Sequence, residues 1–478
     1  MTHGRRMLIL AICCMSLLIV SLDVTIVNVA LPSIQRELHA SVSGLQWIID
    51  AYTLVLASFL MLAGSTADRV GRRRIFQTGL VAFTLGSLLC SLAPGLGWLV
   101  AFRMIQALGG SMLNPVALSI IVNTFVQPAE RARAIGIWGA VVGISMSLGP
   151  VLGGLLTETV GWRGIFWVNI PVGLAALVLT ARFVPESRAP HPRKVDPVGQ
   201  LLVIITLASL IYGIIEGPGS GWTSPKIIFC FGVAAAALGG LIAYEPRRPE
   251  PLIDLRFFRS APFSGATLIG ISAFAALGGF LLLNTLYLQN VRGYSALQAG
   301  LFTVPMAAMT IVCAPLSGRI IGARGPRLPL IVAGVAITVS GLMLTRLAAD
   351  TSVAWLITAY VIFGIGFGLV NAPITNTAVS GMPRAQAGVA AAVASTSRQV
   401  GQSLGVAVIG SVVVSALAGS FRSGFAPASH AGWWIVTGCG CAVLFLGLLT
   451  SGRWARATAQ ATAERLMPVS AEIPVQAS

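Results

Sequence analysis

Three acids and one arginine stand where an apolar chain should carry no charge. The first acid, Asp23, lies in LDVTIVNVALP (22–32), inside an apolar run that extends from about 7 to 31. A charged side chain at the centre of a lipid-spanning helix costs about 2.5–3.5 kcal/mol on insertion scales, so such groups face an interior cavity and have a task there. Asn28, five residues on, adds a second polar group to the same helix. Asp50 sits in WIIDAYTL and Glu216 in IIEGPGSGW. The arginine is Arg103 in RMIQALGGS (103–111), with Gln106 and Gly110 at i+3 and i+7 on one helical face. Burial disfavours the ionised form of a carboxyl and a neighbouring cation favours it. Asp23 between an apolar wall and Arg103 is therefore suited to binding and releasing a proton.

Each of these groups also has a plainer reading. Arg103 either belongs to a buried charged pair or snorkels to an interface. Asp50 either takes part in proton transfer or rests at an interface with Trp47 and Tyr52. Glu216 reads as structural. The other twelve of the 15 acids fall in loops or tails, and His3, His39, His191 and His430 fall outside the apolar runs.

The positioning elements follow from composition. The 478 residues are 56% hydrophobic and 10% charged, against roughly 25% charged in a soluble protein. About 20 apolar residues span a bilayer. On that measure fourteen spans are expected, near 7–31, 46–66, 75–93, 97–121, 134–157, 163–184, 198–216, 226–245, 262–289, 298–321, 328–347, 353–376, 387–418 and 432–452. The first run, too long for a cleaved leader and followed by many more, reads as a retained helix.

The formal charge of +16 comes mostly from arginines in alternate loops: Arg5 and Arg6; Arg69, Arg72, Arg73 and Arg74; Arg131 and Arg133; Arg182, Arg188, Arg193 and Lys194; Arg247, Arg248, Arg256 and Arg259; Arg324 and Arg327; Arg384; Arg453 and Arg456. Cytoplasmic loops carry such an excess, so both termini are expected inside. This distribution argues for a membrane surface and against nucleic acid as the partner. The seven cysteines lie in apolar runs and read as small hydrophobic helix residues. No metal-ligand spacing, nucleophile–base pair or phosphate loop is present in the sequence, so neither metal, cofactor nor enzymatic activity is expected.

The chain repeats itself. LAGSTADRVGRRR (62–74) aligns with LSGRIIGARGPRL (316–328), and GGSMLNP (109–115) echoes GFGLVNAP (366–373). Parallel repeats of this kind indicate two six-helix halves, 1–185 and 260–455. A central segment, 186–259, adds two further helices, and a polar tail, 456–478, reads as disordered.

These motifs resemble the drug:proton antiporters of the major facilitator superfamily, in the fourteen-helix group of EmrB-like and QacA-like exporters. The resemblance implies an all-α polytopic membrane protein with the major facilitator fold, two six-helix halves and two extra central helices. It implies that the loop with Gly64, Asp68, Arg69, Gly71, Arg72 and Arg73 governs an inward gate, although the second copy has Gly322 in place of Asp68. It assigns Arg103 to a proton-relay motif, for which Asp23 is the candidate partner; the census of acids in the spans places Asp50 second. It reads Gly139, Gly143, Gly149, Pro150, Gly153 and Gly154 in the fifth span as the helix motif of antiporters, a run whose glycines also suit tight packing.

WRGIFWVNIPVG (162–173) matches the group as well, and its Trp162, Phe166 and Trp167 read as an aromatic belt. ASTSRQVGQSLG (394–405) matches too; Arg398 and Gln399 there either line a cavity or sit near the inner interface. Asn28, Gln106, Asn284, Tyr287, Gln289 and Asn371, with Asn376, Phe280 and Phe367, offer a polar and aromatic substrate cavity or serve as interhelical bonds. The second half has no acid in its spans, which argues against paired-carboxylate recognition of divalent cations.

The function implied is proton-coupled export of a small lipophilic drug or antibiotic by alternating access across the bacterial inner membrane, with protons and membrane lipid as the other partners. A periplasmic adaptor is left open. A nutrient importer or facilitator and a non-transport membrane protein are the alternatives.

Overall fold

The structure, a computed structural model, describes residues 2–189, 195–248, 250–380, 382, 386–417 and 421–466. The basic positions His191, Arg193, Lys194 and Arg384, and the tail from 467, lie outside the described residues. Among those described there is no strand.

The helices are α1 (His3–Leu38), α2 (Val42–Val70), α3 (Arg72–Ser91), α4 (Leu96–Thr124), α5 (Pro128–Thr159), α6 (Gly164–Trp167), α7 (Asn169–Phe183), α8 (Pro197–Ser220), α9 (Pro225–Tyr244), α10 (Ala261–Leu286), α11 (Ala296–Arg324), α12 (Arg327–Leu344), α13 (Val353–Val379), α14 (Ala387–Ala416), α15 (Phe421–Thr450) and α16 (Arg453–Leu466). Fourteen helices are long and apolar enough to cross a membrane, counting α6 and α7 as one.

Several helices outrun their apolar cores. α1 covers 36 residues because its polar ends stay helical beyond the lipid-facing stretch. The sixth span is interrupted at Val168, where the sequence suggests one continuous helix. Pro171 has no N–H to give to the carbonyl four residues back, so the ladder breaks there. Helix starts follow local chemistry: Ser41 accepts from the Gly44 amide at 3.1 Å, and Ser295 with Gln298 forms a reciprocal capping box on α11.

The two halves repeat one packing scheme. α1 lies on α5, α2 on α4 and α3 on both α4 and α7; equally, α10 lies on α14, α11 on α13 and α12 on both α13 and α15. The repeated loop is part of this. Gly71 joins α2 to α3 with φ +132°, and Gly325, its counterpart at the same register, joins α11 to α12 with φ +79°. Both turns use backbone conformations that a side chain resists.

The halves meet along two seams, α5 against α11 and α2 against α14. The extra helices α8 and α9 pair with each other, and α8 packs on both α2 and α14. The face that carries His3 and Arg453 is termed the near face, and the opposite one the far face.

The tail differs from expectation. Residues 453–466 form α16, an amphipathic helix with Ala455, Ala459, Thr462 and Leu466 buried. It lies on α10 and on the 3-10 turn Leu255–Arg259, and Thr458 Oγ1 accepts from the Ala261 amide at 3.0 Å. Small residues at i, i+4 and i+7 give this polar stretch a packing stripe. His430 also departs from its expected place outside the spans: it lies within α15, its Nε2 2.7 Å from the Leu347 carbonyl.

Candidate functional site

Asp23 and Arg103 form an ion pair inside the first half, Arg103 Nη1 donating to Asp23 Oδ2. Both side chains are almost wholly buried. α1 brings the acid and α4 the cation. Removing one partner of such a pair leaves an unpaired buried charge, a loss of roughly 3–5 kcal/mol.

Both Asp23 oxygens and the Nε and Nη1 groups of Arg103 are engaged. Asp23 Oδ1 accepts from Gln106 Nε2 at 2.8 Å and Asn169 Nδ2 at 3.1 Å. Arg103 also donates to Gln106 Oε1 at 2.8 Å and to the Ile48 carbonyl at 3.3 Å. Its guanidinium carbon lies 4.1 Å from the centroid of the Tyr52 ring, a cation–π distance. Asn169 passes on to Ser87 Oγ at 3.1 Å, which donates to the Phe166 carbonyl at 2.8 Å. Of the two readings of Arg103, the geometry supports the buried pair. Gln106 belongs to this network rather than to a substrate cavity.

Asn169 and Ser87 escaped the sequence reading. Asn169 lies in the aromatic stretch 162–173, whose tryptophans drew the structural interpretation. Of those, Trp162 is buried and gives its Nε1–H to Glu37 Oε2 at 2.7 Å, while Trp167 is half exposed. The signal available was an asparagine between apolar residues just before Pro171.

Asp50 occupies the α2–α14 seam. Its Oδ1 accepts from Ser403 Oγ at 3.0 Å and lies 3.5 Å from Thr53 Oγ1, while Oδ2 is buried without a partner. It does not sit in an interfacial cluster with Trp47 and Tyr52. Tyr52 faces Arg103, and Trp47 donates to Glu216 Oε1 at 2.8 Å. That bond ties α8 to α2 and fits the structural reading of Glu216. One turn earlier, Gln46 Nε2 reaches the carbonyls of Val406 and Ala407 at 3.0 and 2.9 Å.

The other hydrogen bonds between the halves gather at the far face. Gln289 Nε2 donates to the Val29 carbonyl at 2.8 Å, Asn290 Nδ2 to Gln35 Oε1 at 3.2 Å, and the Leu297 amide to Glu158 Oε1 at 2.8 Å. Glu158, read as a loop acid, thus caps the start of α11 from the end of α5.

The fifth-span glycines allow these contacts. A Cβ on Gly149 would stand 1.9 Å from Thr25 Oγ1, and one on Gly154 would stand 2.5 Å from Leu297 Cα. Gly153 packs on Ile26 and Gly143 on Ile311, Pro150 presents its carbonyl to Gly300, and Gly139 borders open space. The motif is therefore a contact surface toward α1 on one side and α11 on the other.

The near-face loop is anchored within its own half. Asp68 pairs with Arg72 at 2.8 Å. Arg73 donates to the Ala181 carbonyl at 2.5 Å, and its amide to Glu186 Oε1 at 3.1 Å. Arg69 is exposed, and Gly64 lies in ordinary contact with Pro115 of α4. Glu186, assigned to the linker, lies directly over Gly71.

The expected cavity residues divide. Asn28 bonds back to the Val24 carbonyl at 2.7 Å. Asn284 and Tyr287 are buried inside the second half, where Tyr360 donates to Asn284 at 2.5 Å and Tyr287 donates to the Ala348 carbonyl at 2.5 Å. Their partners make them internal bonds of the second half, one to α13 and one to the turn after α12. Asn371 is half-buried beside Arg398.

Comparison with known proteins agrees with this architecture. The family model described as Major Facilitator Superfamily matches residues 13–406. Multidrug resistance protein Stp of Mycobacterium tuberculosis is 39% identical over 408 residues, 85% of this chain and 76% of that protein. The tetracenomycin C resistance and export protein of Streptomyces glaucescens is 38% identical over 430 residues, 89% and 79% of the two chains. A crystal structure of a bacterial homologue of the human lysosomal transporter Spinster, inward-facing and occupied, superposes with a TM-score of 0.65 at 17% identity, covering 97% of this chain and 98% of that one. With its fourteen spans and its two halves packed alike, the chain belongs to the major facilitator superfamily.

Proposed function

We propose that this chain is a proton-coupled exporter of lipophilic drugs or antibiotics, working by alternating access in the bacterial cytoplasmic membrane with both termini in the cytoplasm. The relatives named for resistance and export support this reading. The observation that carries it is the Asp23–Arg103 pair, a carboxylate deep in the bundle with Gln106 and Asn169 on one oxygen and a guanidinium on the other. A carboxyl whose counter-charge sits on a separate helix gains or loses its proton as that helix shifts.

The arginine-rich near face takes the cytoplasmic side by the charge rule. The bonds that join the halves at the far face support a conformation open inward. In the cycle, cargo enters from the cytoplasm, the near-face loop closes, and the far-face bonds of Gln289, Asn290 and Glu158 break. Protonation from outside resets the pair. Asp50 is the second proton site, because its unpartnered Oδ2 lies in the seam that must slide.

The test is substrate-induced proton release from energised inverted vesicles containing a pH-sensitive dye, with a panel of lipophilic antibiotics. Release by wild type that disappears in a correctly inserted Asp23→Asn variant is the expected result. Undiminished release in that variant removes Asp23 from the mechanism.

A further inference from the structure

The second half holds a cation with no counter-charge. Arg398 on α14 donates to Thr375 Oγ1 at 3.1 Å, to Ser395 Oγ at 3.1 Å and, at 3.5 Å, to Asn371 Oδ1. All three acceptors are neutral. No ion pair involves Arg398 among the described residues. Between 262 and 452 the sequence has one acid, Asp350, in a turn at the far end of α12. The facing acid on α2, Asp50, bonds Ser403 through Oδ1 and makes no ion pair with Arg398.

A guanidinium has five N–H donors, and the three bonds leave Nε–H and one N–H on Nη2 without a protein acceptor. Those donors match the geometry that binds a carboxylate with two hydrogen bonds.

The position suits a ligand. Arg398 precedes Ser403 by five residues, about 7.5 Å along the helix toward the near face. Ser403 is where α14 is bonded to α2, and Arg398 lies on the near-face side of that bond. Arg398, Asn371, Thr375 and Ser395 are each half-buried, unlike the Asp23 network. One helical turn before Asn371 lies Phe367, edge-on to Phe274 at 5.2 Å between ring centroids. Phe367 is buried, and Phe274 on α10 is half-buried, so Phe274 is the ring of the two with surface to offer.

We infer that Arg398 is the anchor for an anionic oxygen of the cargo, and that the preferred substrates are aromatic lipophilic acids, carrying a carboxylate or an acidic phenol, rather than lipophilic cations. Asn371 and Thr375 orient the guanidinium, and the half-buried Phe274, backed by Phe367, takes the aromatic body. This deepens the exporter reading and rests on it for the direction of flux only. An uncompensated buried charge is costly, and an acidic cargo completes the pair that the protein leaves open.

The experiment uses the full-length purified protein and three probes of one ring system: a naphthoic acid, its methyl ester and a naphthyl trimethylammonium salt. Binding is read in detergent by tryptophan quenching, and flux in proteoliposomes under a proton gradient. Wild type should bind the acid roughly tenfold or more tightly than the ester, the scale of a charge-assisted hydrogen bond. Arg398→Gln should lose that margin, so that acid and ester bind about equally; Arg398→Lys should keep part of it.

Thermal melting of each variant separates misfolding from lost recognition, and the lysine variant keeps the test open if the glutamine variant unfolds. Equal binding of acid and ester by wild type, preference for the cation, or acid binding unaffected by Arg398→Gln overturns the anchor. Arg398-dependent binding without flux of any probe upholds the anchor and refutes export. Flux of the ester with no effect of Arg398 on the acid does the reverse.

Discussion

Asn169 donates to the same Asp23 oxygen that accepts from Gln106, so three helical elements converge on one carboxylate. α7 is held to α1 through this bond, and to α3 through Ser87. The break before Asn169 lets its side chain point inward while Trp167 points out.

Loss of the Asn169 amide should therefore be felt at Asp23. Asn169→Leu removes a charge-assisted bond worth about 1.5–3 kcal/mol. The expected outcome is a folded protein with a lower melting temperature and fewer protons released per substrate in the vesicle assay. Unaltered coupling would reduce Asn169 to a packing residue.

The ion pair itself is asymmetric under mutation. Arg103→Ala leaves Asp23 buried without its cation and should destabilise the protein by roughly 3–5 kcal/mol. The double variant Asp23→Asn with Arg103→Gln removes both charges and should recover much of that stability without recovering coupling. Denaturation and proton release, measured on the same preparations, separate the two effects.

Asp50→Asn keeps an acceptor for the Ser403 hydroxyl and removes the titratable proton. Its stability should match wild type within about 1 kcal/mol, since the amide oxygen still accepts from the Ser403 hydroxyl. Proton release should fall. Ser403→Ala, which loses the seam bond but keeps the acid, should retain more of it.

The far-face closure can be pried open from one position. Gly154→Val places a side chain against the Leu297 backbone, where a Cβ has 2.5 Å. Spin-label distances between the far ends of α5 and α11 should lengthen, and transport should slow. A distance distribution identical to wild type would mean that α11 yields without parting the halves.

Much of this was legible in the chain. Fourteen spans followed from apolar run length and the half-and-half organisation from the repeat at 62–74 and 316–328, while the Asp23–Arg103 pair was one of two readings of a deep arginine, suggested by the resemblance. What sequence could not convey was depth and partner. Asn284 and Asn371 look alike as polar residues in apolar spans, yet one is closed by Tyr360 and the other stands at a half-buried arginine. Glu158 and Glu186 read as loop acids because only the fold brings Leu297 and Gly71 to them. The helix at 453–466 was missed because its packing stripe is alanine and threonine, which carry little hydropathy.

The placement of α8 has one more consequence. Gln200 donates to the Ser58 carbonyl of α2, and Ser411 of α14 donates to the Ile214 carbonyl of α8. α8 is thus bonded to both halves across one of their two seams. A molecule dissolved in the lipid leaflet meets a shutter there, laid over the α2–α14 seam.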